Sequence, residues 1–409
     1  MRTRLVTSLA LALSVGATAP AGAQAPEAAF TTVEVLPVPT ATTLYGVSFP
    51  DPQHGYAVGA FGVIVATTDG GKTWVEQKSG VDPRTADVEG VNAVTGVSFT
   101  DSLHGWAVGN PNVILSTSDG GATWVKHDPP PINEKQGPDN GDGRGLKWAF
   151  SDVDFTDART GYLVGAGGTI LATSDAGATW VWQGDRRFGG LKQVSFPDPQ
   201  HGRAVGEGRP ASFVMIATSD GGATWTPDGG ADMGAQIART NFQAVSFTDP
   251  LRGHVASDAG RIFATSDGGK HWAVQRKDTT ETFYGIAFRD ARRGAAVGYT
   301  DFSDGRKAAV VTTGDGGETW VARPVSGAIL RDVTFAGPTT AYAVGCEVFS
   351  DTCQKSLIVR ITFPAAAGGG GGGGGGFTVP PPVLIGGAVL VAALAGVLVL
   401  RRRPGSGRH

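Results

Sequence analysis

The chain has 409 residues, 41% of them hydrophobic and 17% charged, which is enough apolar material for a sizeable core and excludes wholesale disorder. Thirty-four Lys and Arg against 37 Asp and Glu leave a net charge of −3, without the basicity that nucleic-acid binding favours, so no nucleic-acid partner is expected. Glycine, at 63 residues, stands at about twice its usual share, and a local poly-Gly run explains only part of the excess; the rest implies many turns.

The N-terminus, MRTRLVTSLALALSVGATAPAGAQA, places Arg2 and Arg4 before a short apolar run and small residues at Ala21 and Ala23, the plan of a secretory signal over residues 1–23. A strand, FTTVEVLPV, is then expected from Phe30 to Val38. From there to Phe363 the sequence repeats. Seven first strands end in Phe, at Phe49, Phe99, Phe155, Phe196, Phe247, Phe288 and Phe335. Second strands follow at Tyr56, Trp106, Tyr162, Arg203, His254, Ala295 and Tyr342, in the pattern YAVG. A short β-branched third strand comes next, as in VIVAT before Thr68. Six units then carry a gap-free turn around Asp69, Asp119, Asp175, Asp220, Asp267 and Asp315, and five of the six keep every residue of T-x-D-x-G-x-T-W, His271 replacing the second threonine in the fifth. A fourth strand begins at the Trp of each turn, namely Trp74, Trp124, Trp180, Trp225, Trp272 and Trp320.

Four short strands in about 48 residues is the size of a propeller blade, and no helical period interrupts the series. Seven starts predict an all-β, seven-bladed β-propeller over residues 30–363. The seventh unit ends at SLIVRITF without a Trp-led fourth strand, so the strand from Phe30 to Val38 is expected to close the ring there and pair an otherwise open edge. Cys346 and Cys353, the two cysteines of an exported chain, are expected to form a disulfide across the second-to-third strand loop of the last blade.

Beyond the repeats, residues 364–382 form a Gly/Pro-rich linker. Residues 383–400, VLIGGAVLVAALAGVLVL, are uncharged and span about 27 Å as a helix, enough to cross a bilayer core. Arg401, Arg402 and Arg403 follow, which places the tail 401–409 in the cytoplasm and the propeller outside, as a single-pass protein of the cell membrane. No LPxTG motif marks the tail for transpeptidase cleavage.

The repeated turn is the Asp-box, or BNR, motif. Turn chemistry explains it: the Asp carboxylate accepts backbone N–H bonds within its own turn, the glycine permits positive φ, and the Trp packs a large apolar area. Six equivalent carboxylates read as structure, not as a catalytic or metal set, and no CxxC or HExxH pattern is present, so neither a metal nor a cofactor is expected. DNGDG, in the long loop from Asp128 to Gly145, does not fit the EF-hand spacing. Asp-boxes also occur in sialidases, which makes a secreted sialidase-like glycoside hydrolase the rival reading. That family's N-terminal arginine motif is absent, since the segment from Phe30 to Tyr45 contains no arginine, and nothing in the sequence pairs Glu207 with Tyr299. The expectation is therefore no enzyme.

The pattern GVSFxDxxHGYAVGxxGxIxxTxDGGxTW, nearly whole from Gly46 to Trp74 and again from Gly96 to Trp124, resembles the photosystem II stability/assembly factor-like propellers. The resemblance implies an exported seven-bladed scaffold that binds an incoming protein subunit through surface arginines. Here the partner expected is a membrane or cell-surface protein or a peptide, bound by a monomer.

Two rings are candidate sites. His54, His104, Arg159, His201, Arg252 and Arg293 fall on the face of the first-to-second strand turns and read as a basic ring. On the opposite face, four residues before each repeated Phe, stand Tyr45, Thr95, Ser151, Lys192, Gln243, Tyr284 and Arg331, all polar or amphipathic and placed to line a funnel at the central channel. Arg209, Arg261 and Arg306 lie in second-to-third strand loops of that same face and add positive charge.

Overall fold

The computed structural model describes residues 32–82, 92–131, 148–208, 212–229, 240–302, 305–349 and 352–364. Seven antiparallel sheets follow one another along the chain, and the first strands of neighbouring sheets pack together into a ring. This is a seven-bladed β-propeller. Blade 1 comprises Leu44–Ser48, Gly55–Gly59, Ile64–Thr67 and Val75–Gln77. Blades 2 to 7 begin at Ala93–Phe99, Phe150–Phe155, Gly190–Ser195, Phe242–Phe247, Glu281–Phe288 and Ala328–Phe335. The turn face carries the first-to-second and third-to-fourth connections, and the loop face carries the other two.

The second and third strands are buried along nearly their whole length, so both sheet faces need cover, and the repeat supplies it between blades. In blades 1 to 4 and 6 the Phe that follows or ends the first strand stacks on the second-strand ring of the preceding blade. Ring centroids are 3.4 Å apart for Tyr56 and Phe99, 3.6 Å for Trp106 and Phe155, and 3.7 Å for Tyr162 and Phe196. His254 stacks on Phe288 at 3.5 Å, and the Arg203 guanidinium lies 5.0 Å over Phe247. A Trp meets the edge of the same Phe in blades 1 to 6, as Trp124 does at 5.9 Å from Phe99. These aromatic layers are the cores between blades. The fourth strands begin one residue later than the sequence suggests, at Val75, Val125, Val181, Thr226, Ala273 and Val321, because each Trp still belongs to the turn that aims its indole inward.

Blade 7 takes its fourth strand from the start of the chain. Thr32–Leu36 pairs antiparallel with Thr352–Thr362, Thr32 opposite Thr362 and Leu36 opposite Ile358. A Glu34–Arg360 ion pair and the contacts of Thr40 and Thr42 with the Ser356 hydroxyl reinforce the closure. A disulfide joins Cys346 to Cys353 across the hairpin of blade 7, with Cα atoms 5.5 Å apart. The expected signal 1–23, apolar run 383–400 and tail 401–409 lie outside the described residues, as does the linker apart from Pro364. Among the described residues no helix is long and apolar enough to cross a membrane.

Candidate binding surface at the loop face

All seven first strands contain a bulge, and in every blade the extra residue is the ring residue read from the sequence. Register skips Tyr45, Thr95, Ser151, Lys192, Gln243, Tyr284 and Arg331. A bulge leaves its residue outside the ladder and re-aims the side chain. The seven are accordingly half-buried at the mouth of the central channel.

Side chains group at this mouth. The Arg331 guanidinium carbon sits 4.6 Å over the Tyr284 ring, a cation–π contact, and Tyr284 stacks on Tyr299 with centroids 5.8 Å apart. Burial pushes the Tyr284 phenol up, partly offset by the Arg331 charge. Lys192 Nζ lies 3.2 Å from Glu207 Oε1. Thr95 turns its hydroxyl to the Phe150 carbonyl oxygen at 2.9 Å. Arg261 donates to Thr240 Oγ1 at 2.7 Å, so part of its hydrogen-bonding capacity is spent within blade 5. Arg209 lies outside the described residues, and of Arg306 only the backbone, in the strand Gly305–Ala308, is described. Glu207 and Tyr299 belong to blades 4 and 6 and are engaged by Lys192 and Tyr284 respectively.

The residue after each bulge had no role in the sequence reading. Asp152 Oδ2 accepts from Val194 N at 3.1 Å, Gln193 Oε1 from Val245 N at 2.7 Å, and Asp332 Oδ2 from Val47 N at 3.0 Å, each reaching the next blade. Gly46, Gly96 and Gly285 hold that position in blades 1, 2 and 6, and Ala244 in blade 5; a methyl on Gly96 would lie 2.8 Å from Asp152 Cα. Alignment on Phe exposes this column as Gly, Ala or a hydrogen-bonding side chain, the signal that was available. Burial is the largest cause that holds the carboxyls of Asp332 and of Asp154, two residues beyond this column in blade 3, up to about 6 and that of Asp152 well above the usual range.

On the turn face the repeated Asp residues spend their oxygens internally. Asp69 Oδ1 accepts from Thr67 Oγ1 at 2.8 Å and Thr73 N at 2.9 Å, and its Oδ2 from Thr73 Oγ1 at 2.6 Å. In blade 5 His271 takes the place of that threonine, its Nδ1 at 2.6 Å from Asp267 Oδ2. Hydrogen bonds from Thr73, Thr123 and Thr179 hold Asp69, Asp119 and Asp175 down to about 2. Among the described residues no cluster of His, Cys, Asp and Glu suits a metal. The basic ring is largely neutralised. His54, His104 and His201 each face an aspartate three residues earlier, at 2.8, 2.9 and 3.0 Å, and Arg252 faces Asp249 at 3.1 Å.

Residues 25–131 match the family described as Photosynthesis system II assembly factor YCF48. Over that stretch the chain is similar to the photosystem II assembly factor family. A curated relative, the photosystem II assembly lipoprotein Ycf48 of Synechococcus sp. (strain CC9902), is 29% identical over 156 residues, 37% of this chain and 43% of that protein. The chain thus spans less than half the length of that relative. Two solved structures share the fold. YCF48 bound to D1 peptide is 21% identical with a TM-score of 0.58, covering 82% of this chain and 98% of that one. YCF48 from Cyanidioschyzon merolae is 20% identical with a TM-score of 0.57, covering 81% and 99%.

Proposed function

We propose that this assembly factor-like propeller is an exported, membrane-tethered, non-catalytic scaffold that binds a protein or peptide at the loop-face mouth. The bulged ring carries the reading. Seven re-aimed side chains surround one opening, and they include a cationic, aromatic corner at Arg331, Tyr284 and Tyr299. Such a corner suits an extended chain bearing acidic and apolar groups. The peptide named in the description of one solved relative and the lipoprotein character of the curated one support, respectively, a polypeptide partner and a membrane-bound state. In this chain residues 1–23 would direct export and residues 383–400 would anchor the propeller outside through the linker. The repeated Asp-box turns then serve the fold alone.

Affinity capture from solubilised membranes with the purified chain tests the site. Lys192→Glu with Arg331→Glu should lower partner recovery at least tenfold while the circular dichroism spectrum and urea midpoint stay unchanged; full recovery would overturn the reading. Turnover of an aryl glycoside or a sialoside, abolished by Glu207→Gln or Tyr299→Phe, would instead establish a hydrolase.

A further inference from the structure

The repeat is broken at one place, and a cavity lies there. In a first-to-second strand hairpin, hydrogen-bonded and non-hydrogen-bonded pairs alternate. The bonds Thr100 N to His104 O, Thr156 N to Thr160 O and Ala336 N to Thr340 O close the pair just beyond the repeated Phe. The amide of the Phe itself therefore points out of its ladder, toward the preceding blade. Five blades catch it with a side chain. Phe99 N donates to Ser48 Oγ and Phe155 N to Ser98 Oγ, both at 3.1 Å. Phe196 N donates to Asp154 Oδ2 at 2.7 Å, Phe247 N to Ser195 Oγ at 3.1 Å and Phe288 N to Ser246 Oγ at 3.0 Å. For Phe335 the acceptor position holds Ala287, which has no oxygen to offer. For Phe49 it holds Thr334, and among the described residues no bond joins the two. Two successive amide donors are thus left over.

Phe335 departs from its six counterparts in three further ways. Those six are at most 9% exposed, whereas Phe335 is only half-buried. Ala295 stands where a stacking partner should be, and no Trp follows in blade 7, so its ring contact is Phe363 at 5.2 Å. Ala341 replaces the glycine opposite it. At the equivalent Gly294 a methyl would lie 2.4 Å from the Phe288 ring, so the Ala341 side chain forces Phe335 outward.

The gap opens on the turn face as a cavity of about 530 Å³ walled by Phe49, Pro52, Ala287, Thr334, Phe335 and Pro338. That volume is within the usual range for small-ligand sites. Arg289 also lines it, exposed and without an ion pair among the described residues. The nearby acids do not oppose a negative ligand strongly, because each is turned into its own loop. Asp51 Oδ1 accepts from Gln53 N and His54 N at 2.7 and 2.9 Å, and Asp290 Oδ1 from Arg292 N and Arg293 N at 2.8 and 2.9 Å.

We propose that this cavity is a second binding site, for a small apolar carboxylate. Its oxygens accept from the Phe49 and Phe335 amides, Arg289 balances the charge, and its hydrocarbon lies on Phe335 and the two prolines. Two uncaught donors beside a cation select a carboxylate over a neutral ligand, since leaving buried donors unpaired is costly. The site is on the face opposite the bulged ring and does not depend on the peptide reading.

The test titrates the full chain, labelled with ¹⁵N at phenylalanine, with sodium octanoate and, separately, with octan-1-ol. The expected result is a saturable shift of the Phe49 and Phe335 amides with octanoate and at least tenfold weaker binding of the alcohol. Ala287→Ser restores the missing acceptor for Phe335 and should weaken octanoate about tenfold, the equivalent of 1.4 kcal/mol, without lowering the thermal midpoint. Arg289→Glu should weaken it further. Overturning results are unmoved amides in the folded protein, octan-1-ol binding as well as octanoate, or Ala287→Ser binding like the unaltered chain.

Discussion

Replacing Gly105 by alanine tests the packing between blades at a single atom. Gly105 sits opposite Phe99 in blade 2, and a methyl there would lie 2.3 Å from Phe99 Cζ. Carbon atoms in contact rest about 3.5–4.0 Å apart, so the ring would have to retreat by more than about 1 Å. It has nowhere to go, with Tyr56 stacked on it at 3.4 Å and Trp124 at its edge at 5.9 Å. Overpacking of a well-filled core costs about 1–3 kcal/mol, and a clamped ring belongs at the top, about 3 kcal/mol. Urea unfolding followed by tryptophan fluorescence reads this as a lower midpoint at unchanged slope. Phe99→Leu should partly rescue Gly105→Ala, so the double variant loses less than the sum of the singles. Blade 7 is the internal control: Phe335 already yields to Ala341, and Ala341→Gly should cost no more than about 1 kcal/mol. A Gly105→Ala loss below about 0.5 kcal/mol, or strict additivity with Phe99→Leu, would refute the clamping argument.

Stability should fall from weakly acidic toward neutral pH. Asp154 and Asp332, held up to about 6, favour folding in their protonated forms; this contribution is complete below about pH 4 and lost as pH rises through 6, and Asp152, also raised by burial, acts in the same sense. Asp69, Asp119 and Asp175, held down to about 2, act in the opposite sense, stabilising above about pH 4 and ceasing to as pH falls through 2. Asp154→Asn with Asp332→Asn should flatten the urea midpoint between about pH 4 and 7, and an unchanged slope there would contradict the assignment. Arg203→Tyr restores a stacking ring above Phe247 but strands Asp228, whose carboxylate lies 2.6 Å from Arg203 Nε, so it should destabilise by about 3–5 kcal/mol until Asp228→Ser is added. Alkylation of the unreduced, denatured protein should find no free thiol at Cys346 or Cys353.

Blade number, strand order and ring closure were legible because each repeat carries a glycine, a Phe and a Trp whose roles are local and steric. The ring from Tyr45 to Arg331 was legible as a column of polar residues, but not as a set of bulges, since a bulge changes register without changing the alternation on either side. The neutralised basic ring was missed because Asp51, Asp101 and Asp198 read as ordinary turn residues; only the hairpin folds each back onto the histidine three positions on. The cavity at blades 6, 7 and 1 depends on three changes scattered through the repeat, Ala287, Ala295 and Ala341, each innocuous alone. Their shared location appears only when the circle is drawn.

The pairing of Thr32–Leu36 with the last strand also sets an order of events. The strand that leaves the ribosome first must wait for a partner made last, so six blades can assemble while the circle stays open. Bringing together ends separated by nearly the whole chain is the largest loop closure in the fold, and such closures are slow. Until then Ile358 and Ile361, both buried in the finished ring, lie beside an unpaired strand edge. A product cut short before Thr352 lacks the strand that Thr32–Leu36 pairs with and cannot complete the circle. The closure thereby distinguishes finished chains from unfinished ones, and leaves the unfinished ones open to proteolysis.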